Sequence, residues 1–208
     1  LSILGPGGVG KTRLSIQTGA ELLDDYAGGV WFVDLSDCKD AEASVRTINR
    51  VLAVKEGPGR GPLESLEDFL GSRRYLLIFD NLEQASGLGA LVSDLLSACP
   101  GLAILATSRV ALRIRWERQL PLPPLAIPAS AGATVLSLSH YEAVRLFVER
   151  AKAAKPSFRI DDRNAPAVAQ ICVRLDGIPL AIELAAARAK AFSPDEILAR
   201  FEADPDFL

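Results

Sequence analysis

Eight consecutive residues, Gly5-Pro-Gly-Gly-Val-Gly-Lys11-Thr12, carry the parts needed to hold a phosphate chain. The apolar run Leu1-Ser-Ile-Leu4 enters this octet and a helix-forming segment leaves it, which is the strand–loop–helix setting of a phosphate-binding P-loop. Gly5, Gly7, Gly8 and Gly10 are expected to take up positive φ angles and to let the backbone approach a ligand with no Cβ in the way. The amides of Gly7, Gly8, Val9, Gly10, Lys11, Thr12 and Arg13 then converge on the anion, helped by the positive end of the following helix. Lys11 is placed to reach the β- and γ-phosphates and the Thr12 hydroxyl to ligate Mg²⁺. A glycine-rich turn that merely precedes a lysine would lack the flanking strand and helix. The expected ligand is a nucleoside triphosphate or diphosphate.

Other polar residues stand where apolar runs end. Tyr75-Leu-Leu-Ile-Phe79 reads as a buried strand and is followed by Asp80-Asn81-Leu82-Glu83. A carboxylate at the end of the strand neighbouring a P-loop strand can hold Mg²⁺ through water, the role expected of Asp80. Leu102-Ala-Ile-Leu-Ala106 ends in Thr107-Ser108-Arg109, so Arg109 is a candidate for touching a γ-phosphate, with a plain surface arginine as the alternative. Asp34 closes the run Val30-Trp-Phe-Val. It could support the site, but a solvated strand-end acid is the expected reading.

These residues need a scaffold, and composition allows one. A chain of 208 residues, 49% hydrophobic and 24% charged, can bury one sizeable core or an α/β domain with a smaller companion. Its formal net charge of -3 exerts no general pull towards nucleic acid or anionic membrane. No stretch approaches the roughly 18 apolar residues of a membrane span. Cys38, Cys99 and Cys172 are far apart and form no C-x-x-C pair, so reduced buried thiols are expected. His140 is the single histidine, which rules out multi-histidine metal sites, and it is expected on the surface near a helix start. With no methionine anywhere in the sequence, Leu1 is not expected to be a translational start and a targeting segment could precede it; a cytoplasmic location is expected from the chemistry.

The periodicity predicts helices from about Lys11 to Leu23 (Leu14, Thr18 and Leu22 inward), Ala41 to Leu52, Pro62 to Leu70, and around Leu88 to Leu96. Buried strands alternate with them, and Arg118 to Leu122 is expected as an edge strand, where proline is tolerated. From Pro121 to Ala133 prolines and small residues mark a connection, and beyond it every pattern is helical. Ser139-His-Tyr-Glu142 reads as a capping box ahead of Ala143, Phe147, Ala151 and Ala154. A second helix carries Val168, Ile171, Cys172 and Leu175 and stops at Gly177. A third opens at Pro179 with Leu180, Leu184, Ala187 and Ala191 expected inward, and Ser193-Pro-Asp-Glu196 caps a fourth. The fold class expected is α/β: a three-layer P-loop unit with a mainly parallel five-stranded sheet over residues 1–125, followed by a small all-α bundle over 126–208.

Taken together, GPGGVGKT (Gly5 to Thr12), LLIFDNLE (Leu76 to Glu83), ATSR (Ala106 to Arg109) and LDGIPLAIELAAAR (Leu175 to Arg188) resemble the nucleotide-binding domains of STAND-type signal-transduction ATPases. The likeness is to the NB-ARC-like modules of bacterial multidomain transcriptional regulators. It implies ATP or ADP with Mg²⁺ bound where sheet domain and helical domain meet. Lys11, Asp80 and Arg109 would serve catalysis and sensing, Thr12 and Asp80 the metal, and Pro179, from the family's G-x-P motif, would pack by the adenine. It also implies further domains of a longer chain as partners: a winged-helix unit, a sensor and an effector. The ATP state is expected to be the one able to assemble with other copies, with no direct nucleic-acid binding and no membrane contact by this segment. The winged-helix unit and the residues that complete the adenine pocket fall outside these 208 residues.

One departure is local. Asn81 follows Asp80 where many active P-loop ATPases place an acid to orient water, so slow hydrolysis is expected from a regulatory switch. The alternatives are a small-molecule kinase, which would need an acceptor pocket and an arginine-rich lid, and a nucleic-acid-dependent ATPase. For the latter the segment Arg109 to Arg118, with Arg113, Arg115 and Trp116, is the candidate track.

Overall fold

A computed structural model describes residues 1–55, 57, 59–128, 138–204 and 207. The chain divides into two compact units, Leu1–Gly7 with Lys11–Leu122, and Gly8–Gly10 with Pro123–Leu208. The part of the expected connection from 129 to 133 lies outside the described residues.

In the first unit the elements are β1 (Ser2–Leu4), α1 (Lys11–Glu21), β2 (Gly29–Asp34), α2 (Ala41–Leu52), α3 (Pro62–Leu70), β3 (Tyr75–Asp80), α4 (Leu88–Ala98), β4 (Leu102–Ser108) and β5 (Gln119–Pro121). The strands form a five-stranded sheet in the order β2-β3-β4-β1-β5, and every pairing is parallel. Parallel strands need crossovers, and the helices that make them cover both faces of the sheet.

β3 shows how the sequence divides itself between two layers. Tyr75, Leu77 and Phe79 enter a core with Val45 and Ile48 of α2, Leu66 of α3 and Leu91 of α4. Leu76 and Ile78 point the other way, into a smaller core where Leu14 of α1 and Leu22, just after it, pack. A period of two on a doubly covered strand produces this split and makes every β3 residue buried.

Several expectations are corrected. β2 is an edge strand, and of its residues only Val33 is buried, so it is not the buried strand its composition suggested. On α1 the innermost positions are Lys11, Ser15 and Gly19, with Leu14, Thr18 and Leu22 only half-buried. The cause is close packing: a Cβ on Gly19 would lie 2.4 Å from Ile78 Cδ1, so the helix reaches the sheet through its smallest side. β3 is not the neighbour of β1 either, because β4 lies between them.

The second unit contains α5 (Glu142–Ala154), α6 (Ala165–Arg174), α7 (Pro179–Ala187) and α8 (Pro194–Ala203). Phe147, Val168, Ile171, Cys172, Ile182, Ala185 and Ile197 share its core, and the Phe147 and Phe158 rings meet edge to face at 6.3 Å. The capping box of α8 forms as read, with the Ser193 hydroxyl accepting from Glu196 N–H and the Glu196 carboxylate accepting from Ser193 N–H. That of α5 does not. Its cap is Tyr141, with no side-chain capping bond, and the Glu142 carboxylate instead accepts from the Ala126 N–H at 3.1 Å. On α7 the expected inward face is also overturned. Leu180 and Leu184 are 53% and 46% exposed, Ala187 and Ala191 are exposed too, and Ile182, Ala185 and Ala186 are buried. In a helix so rich in apolar residues the periodicity fits more than one face, and packing against α5 and α6 selects.

Candidate functional site at the carboxyl edge of the parallel sheet

The crevice of an open parallel sheet lies beyond the carboxyl ends of its strands, at a point where connections diverge in direction. Here β1 leads into the glycine loop and α1, and β3 and β4 end beside it. Gly8 and Gly10 have φ of 74° and 101°, in the left-handed region. Gly5 and Gly7 do not, so positive φ is confined to two of the four loop glycines. At Gly7 a Cβ would lie 3.6 Å from Arg109 Nη2, an ordinary van der Waals distance, so the arginine stands near the loop without crowding it.

Lys11 is the first residue of α1 and is buried. Its ammonium donates to the carbonyls of Gly5 and Pro6, both at 2.9 Å, so the cation faces neutral acceptors from its own loop. Burial pushes its pKa below the ordinary lysine value, and the nearby Glu83 carboxylate opposes that shift. A buried ammonium whose hydrogen bonds, among the described residues, go to neutral carbonyls gains from an arriving anion.

The Thr12 hydroxyl lies 2.8 and 2.9 Å from the two carboxylate oxygens of Asp80. Asp80 itself is only 5% exposed. Its other hydrogen-bond donors among the described residues are the hydroxyl of Thr107 and the side-chain amide of Asn81, the latter at 3.2 Å. A buried carboxylate beside a hydroxyl is an all-oxygen donor set that suits a hard cation such as Mg²⁺. No group of three or more His, Cys, Asp or Glu among the described residues could hold a metal. A Mg²⁺ here would therefore take its remaining ligands from phosphate and water, as is usual for that ion at nucleotide sites.

Thr107 joins the site, although in the sequence it is expected only as one of the polar residues that follow an apolar run. It stands on β4, the strand inserted between β1 and β3, and its hydroxyl both donates to Asp80 and accepts from the Asn81 N–H at 3.2 Å. Its signal was present as a polar residue ending an apolar strand. Asn81 adopts φ 61° and ψ 45°, a left-handed conformation that asparagine tolerates better than most residues. Its side-chain amide spans Asp80 and, at 3.4 Å, Asp34. Asp34 is exposed, and the Ser36 N–H at 2.9 Å holds its carboxyl below the usual aspartate range.

Arg109 follows β4. Its Nε lies 3.2 Å from Glu83 Oε1, and its backbone N–H donates to Glu83 Oε2 at 3.3 Å. Lys11, Thr12, Asp80, Arg109 and Gly7 are thus gathered within the first unit. Arg13 is exposed on α1, and Val9 is buried. Pro179 opens α7 in the second unit, after the extended residue Ile178. In the segment that follows Arg109, Trp116 is 52% exposed with the Arg115 guanidinium 6.0 Å from its ring centre. The turn there is held by the Glu117 carboxylate, which accepts from the N–H groups of Leu112 and Arg113.

No family model matches the sequence. An HTH-type transcriptional regulator of Mycobacterium tuberculosis is 43% identical over 200 residues, which cover 95% of this chain and 21% of that protein. An uncharacterized protein of the same species is 36% identical over 200 residues, covering 96% of this chain and 48% of it. The regulatory protein AfsR of Streptomyces griseus is 28% identical over 201 residues, 91% of this chain and 18% of that protein. The chain therefore spans about a fifth to a half of the length of these relatives. Among solved structures, Cdc6p of Pyrobaculum aerophilum superposes with a TM-score of 0.65 at 17% identity, over 91% of this chain and 54% of that one. The ORC2 protein of Aeropyrum pernix, determined as ADPNP–ADP complexes, gives 0.58 at 14% identity, over 98% and 60%. The chain has the three-layer P-loop α/β fold and is similar, over nearly all its length, to one segment of longer bacterial regulatory proteins.

Proposed function

We propose that this chain is the ATP- and ADP-binding switch module of a signal-transduction ATPase, of STAND type and NB-ARC-like, within a cytoplasmic transcriptional regulator. The observation that carries the reading is the meeting of Thr12, Asp80 and Thr107 beside a buried Lys11 whose ammonium, among the described residues, donates to the loop carbonyls of Gly5 and Pro6. Lys11 and the loop amides, including those of Gly7, Gly8, Val9, Gly10, Thr12 and Arg13, take the phosphates. Thr12 and Asp80 take Mg²⁺, Arg109 reads the γ-phosphate, and Pro179 lies by the adenine. When bound, the metal and triphosphate would supply the charge that distinguishes an ATP state from an ADP state. Such a switch works only if the two nucleotides bind its two conformations differently.

Hydrolysis in this reading is slow, because the residue after Asp80 is an amide whose nitrogen is already directed at Asp34 and Asp80. The nucleotide's partners are then the other domains of the longer chain, with further copies joining in the ATP state. The direct test is mass spectrometry of nucleotide that co-purifies with the 208-residue chain. ADP is expected in the unmodified protein and none in Lys11→Ala. Equal retention by both would remove the phosphate role of Lys11.

A further inference from the structure

Glu83 is tied to one residue by both of its carboxylate oxygens. It sits in the short 3-10 turn Leu82–Gln84 that leaves β3, anchored by Leu82, which is almost wholly buried. Oε1 faces Arg109 Nε at 3.2 Å, and Oε2 accepts from the Arg109 backbone N–H at 3.3 Å. The Glu83 side chain is only 13% exposed, whereas that of Arg109 is 62% exposed. The carboxylate is therefore the fixed partner and the guanidinium the movable one.

Arg109 also reaches the phosphate loop. With Nε engaged by Glu83, the Nη2 end points towards Gly7, where an added Cβ would be 3.6 Å away. The same guanidinium thus pairs with a largely buried acid and stands at van der Waals range of the loop that takes the phosphates. A terminal phosphate that draws on Arg109 must compete with a carboxylate already holding it, and a diphosphate makes no such demand. Specificity is a difference of affinities, and a competing internal partner lowers one affinity selectively.

We infer that Glu83 sets the preference between triphosphate and diphosphate by competing with the terminal phosphate for Arg109, biasing the resting site towards the diphosphate. The inference rests on the nucleotide reading above and assigns Glu83 a specificity-setting role exerted through Arg109.

The test is calorimetric titration of the 208-residue chain with Mg-AMPPNP and with Mg-ADP. Freeing Arg109 from a charge-assisted pair in Glu83→Gln is expected to tighten AMPPNP about five- to tenfold. ADP is expected to change less than AMPPNP, because the loss of the Glu83 charge near Lys11 acts on both nucleotides whereas only the triphosphate draws on Arg109. Glu83→Ala, which removes both acceptors, shifts the ratio in the same direction. In an Arg109→Ala background the Glu83→Gln gain falls to no more than about twofold, because coupled residues are non-additive. An unchanged AMPPNP-to-ADP ratio in both Glu83 variants overturns the inference. So does the full gain in the Arg109→Ala background, since Glu83 would then act on the phosphate directly. If the unmodified chain binds neither nucleotide, the nucleotide reading falls and this inference with it. If it binds both and the ratio is unmoved, only the role of Glu83 falls.

Discussion

The Thr12 hydroxyl lies 2.8 Å from Asp80 Oδ1, although 68 residues separate them in the chain. One stands at the start of α1, the other at the end of β3, and the intervening β4 supplies Thr107 to the same carboxylate. If this pair is the Mg²⁺ seat, Thr12→Ala and Asp80→Asn each lower nucleotide affinity in the presence of Mg²⁺ by about tenfold, the loss of one charge-assisted or ligand contact. Both should leave the affinity measured in EDTA nearly unchanged. Titration with and without the metal decides it, and equal losses in both conditions would mean the pair is only structural.

Lys11 has a lower pKa in the folded chain than when free, chiefly because it is buried. The unfolded chain then holds the proton more tightly, so the charge opposes folding. This penalty is fully present below the folded pKa and vanishes as pH rises through the unfolded value, about 10.4. Lys11→Met should therefore be more stable than the unmodified chain to urea at neutral pH without nucleotide. The difference should narrow in alkaline buffer. An anion bound at Lys11 raises its pKa, so nucleotide affinity falls as pH rises through that range.

Gly177, in the turn that follows α6, has φ of 66°, and a Cβ there would lie 2.2 Å from the Leu125 carbonyl oxygen. The Gly177 carbonyl meanwhile accepts from the Leu125 N–H at 3.0 Å, so neither segment of this contact can retreat without losing that bond. Gly177→Ala should cost about 2–4 kcal/mol by combining left-handed strain with a backbone clash. Equilibrium unfolding of the second unit's signal reads it, and a cost below that of an ordinary surface change would contradict the geometry.

Ser193 closes both halves of the α8 capping box. Ser193→Ala should lower stability by about 1 kcal/mol, as loss of such a cap usually does. A melting curve that superposes on that of the unmodified protein would show that α8 does not depend on its cap.

Cys38, Cys99 and Cys172 are all buried free thiols, and burial pushes Cys172 up to about 12. The thiolate is the reactive form, so iodoacetamide should leave Cys172 unlabelled in the native chain at neutral pH and modify it in urea. Rapid native labelling of Cys172, read by peptide mapping, would contradict this burial.

The strand–loop–helix octet, α2 and α3 with their stated limits, the parallel sheet and the α8 cap were all legible in the sequence. They depend on neighbours a few residues apart: glycine spacing, period-two and helical repeats, and a serine three residues before a glutamate. What depends on distant segments was not legible. The place of β2 at the sheet edge and of β4 between β1 and β3 follows from which strands pair, and hydrophobic runs of similar composition leave that order open. The inward face of α7 is decided by the helices packed on it. An alanine- and leucine-rich repeat offers several faces, and the structure buries Ile182, Ala185 and Ala186 while leaving Leu180 and Leu184 out. Glu83 could be read only as an acid near Asp80. Its pairing with Arg109, 26 residues on, exists because β3 and β4 lie side by side and both end at the same edge. Local chemistry named the residues, and strand order chose their partners.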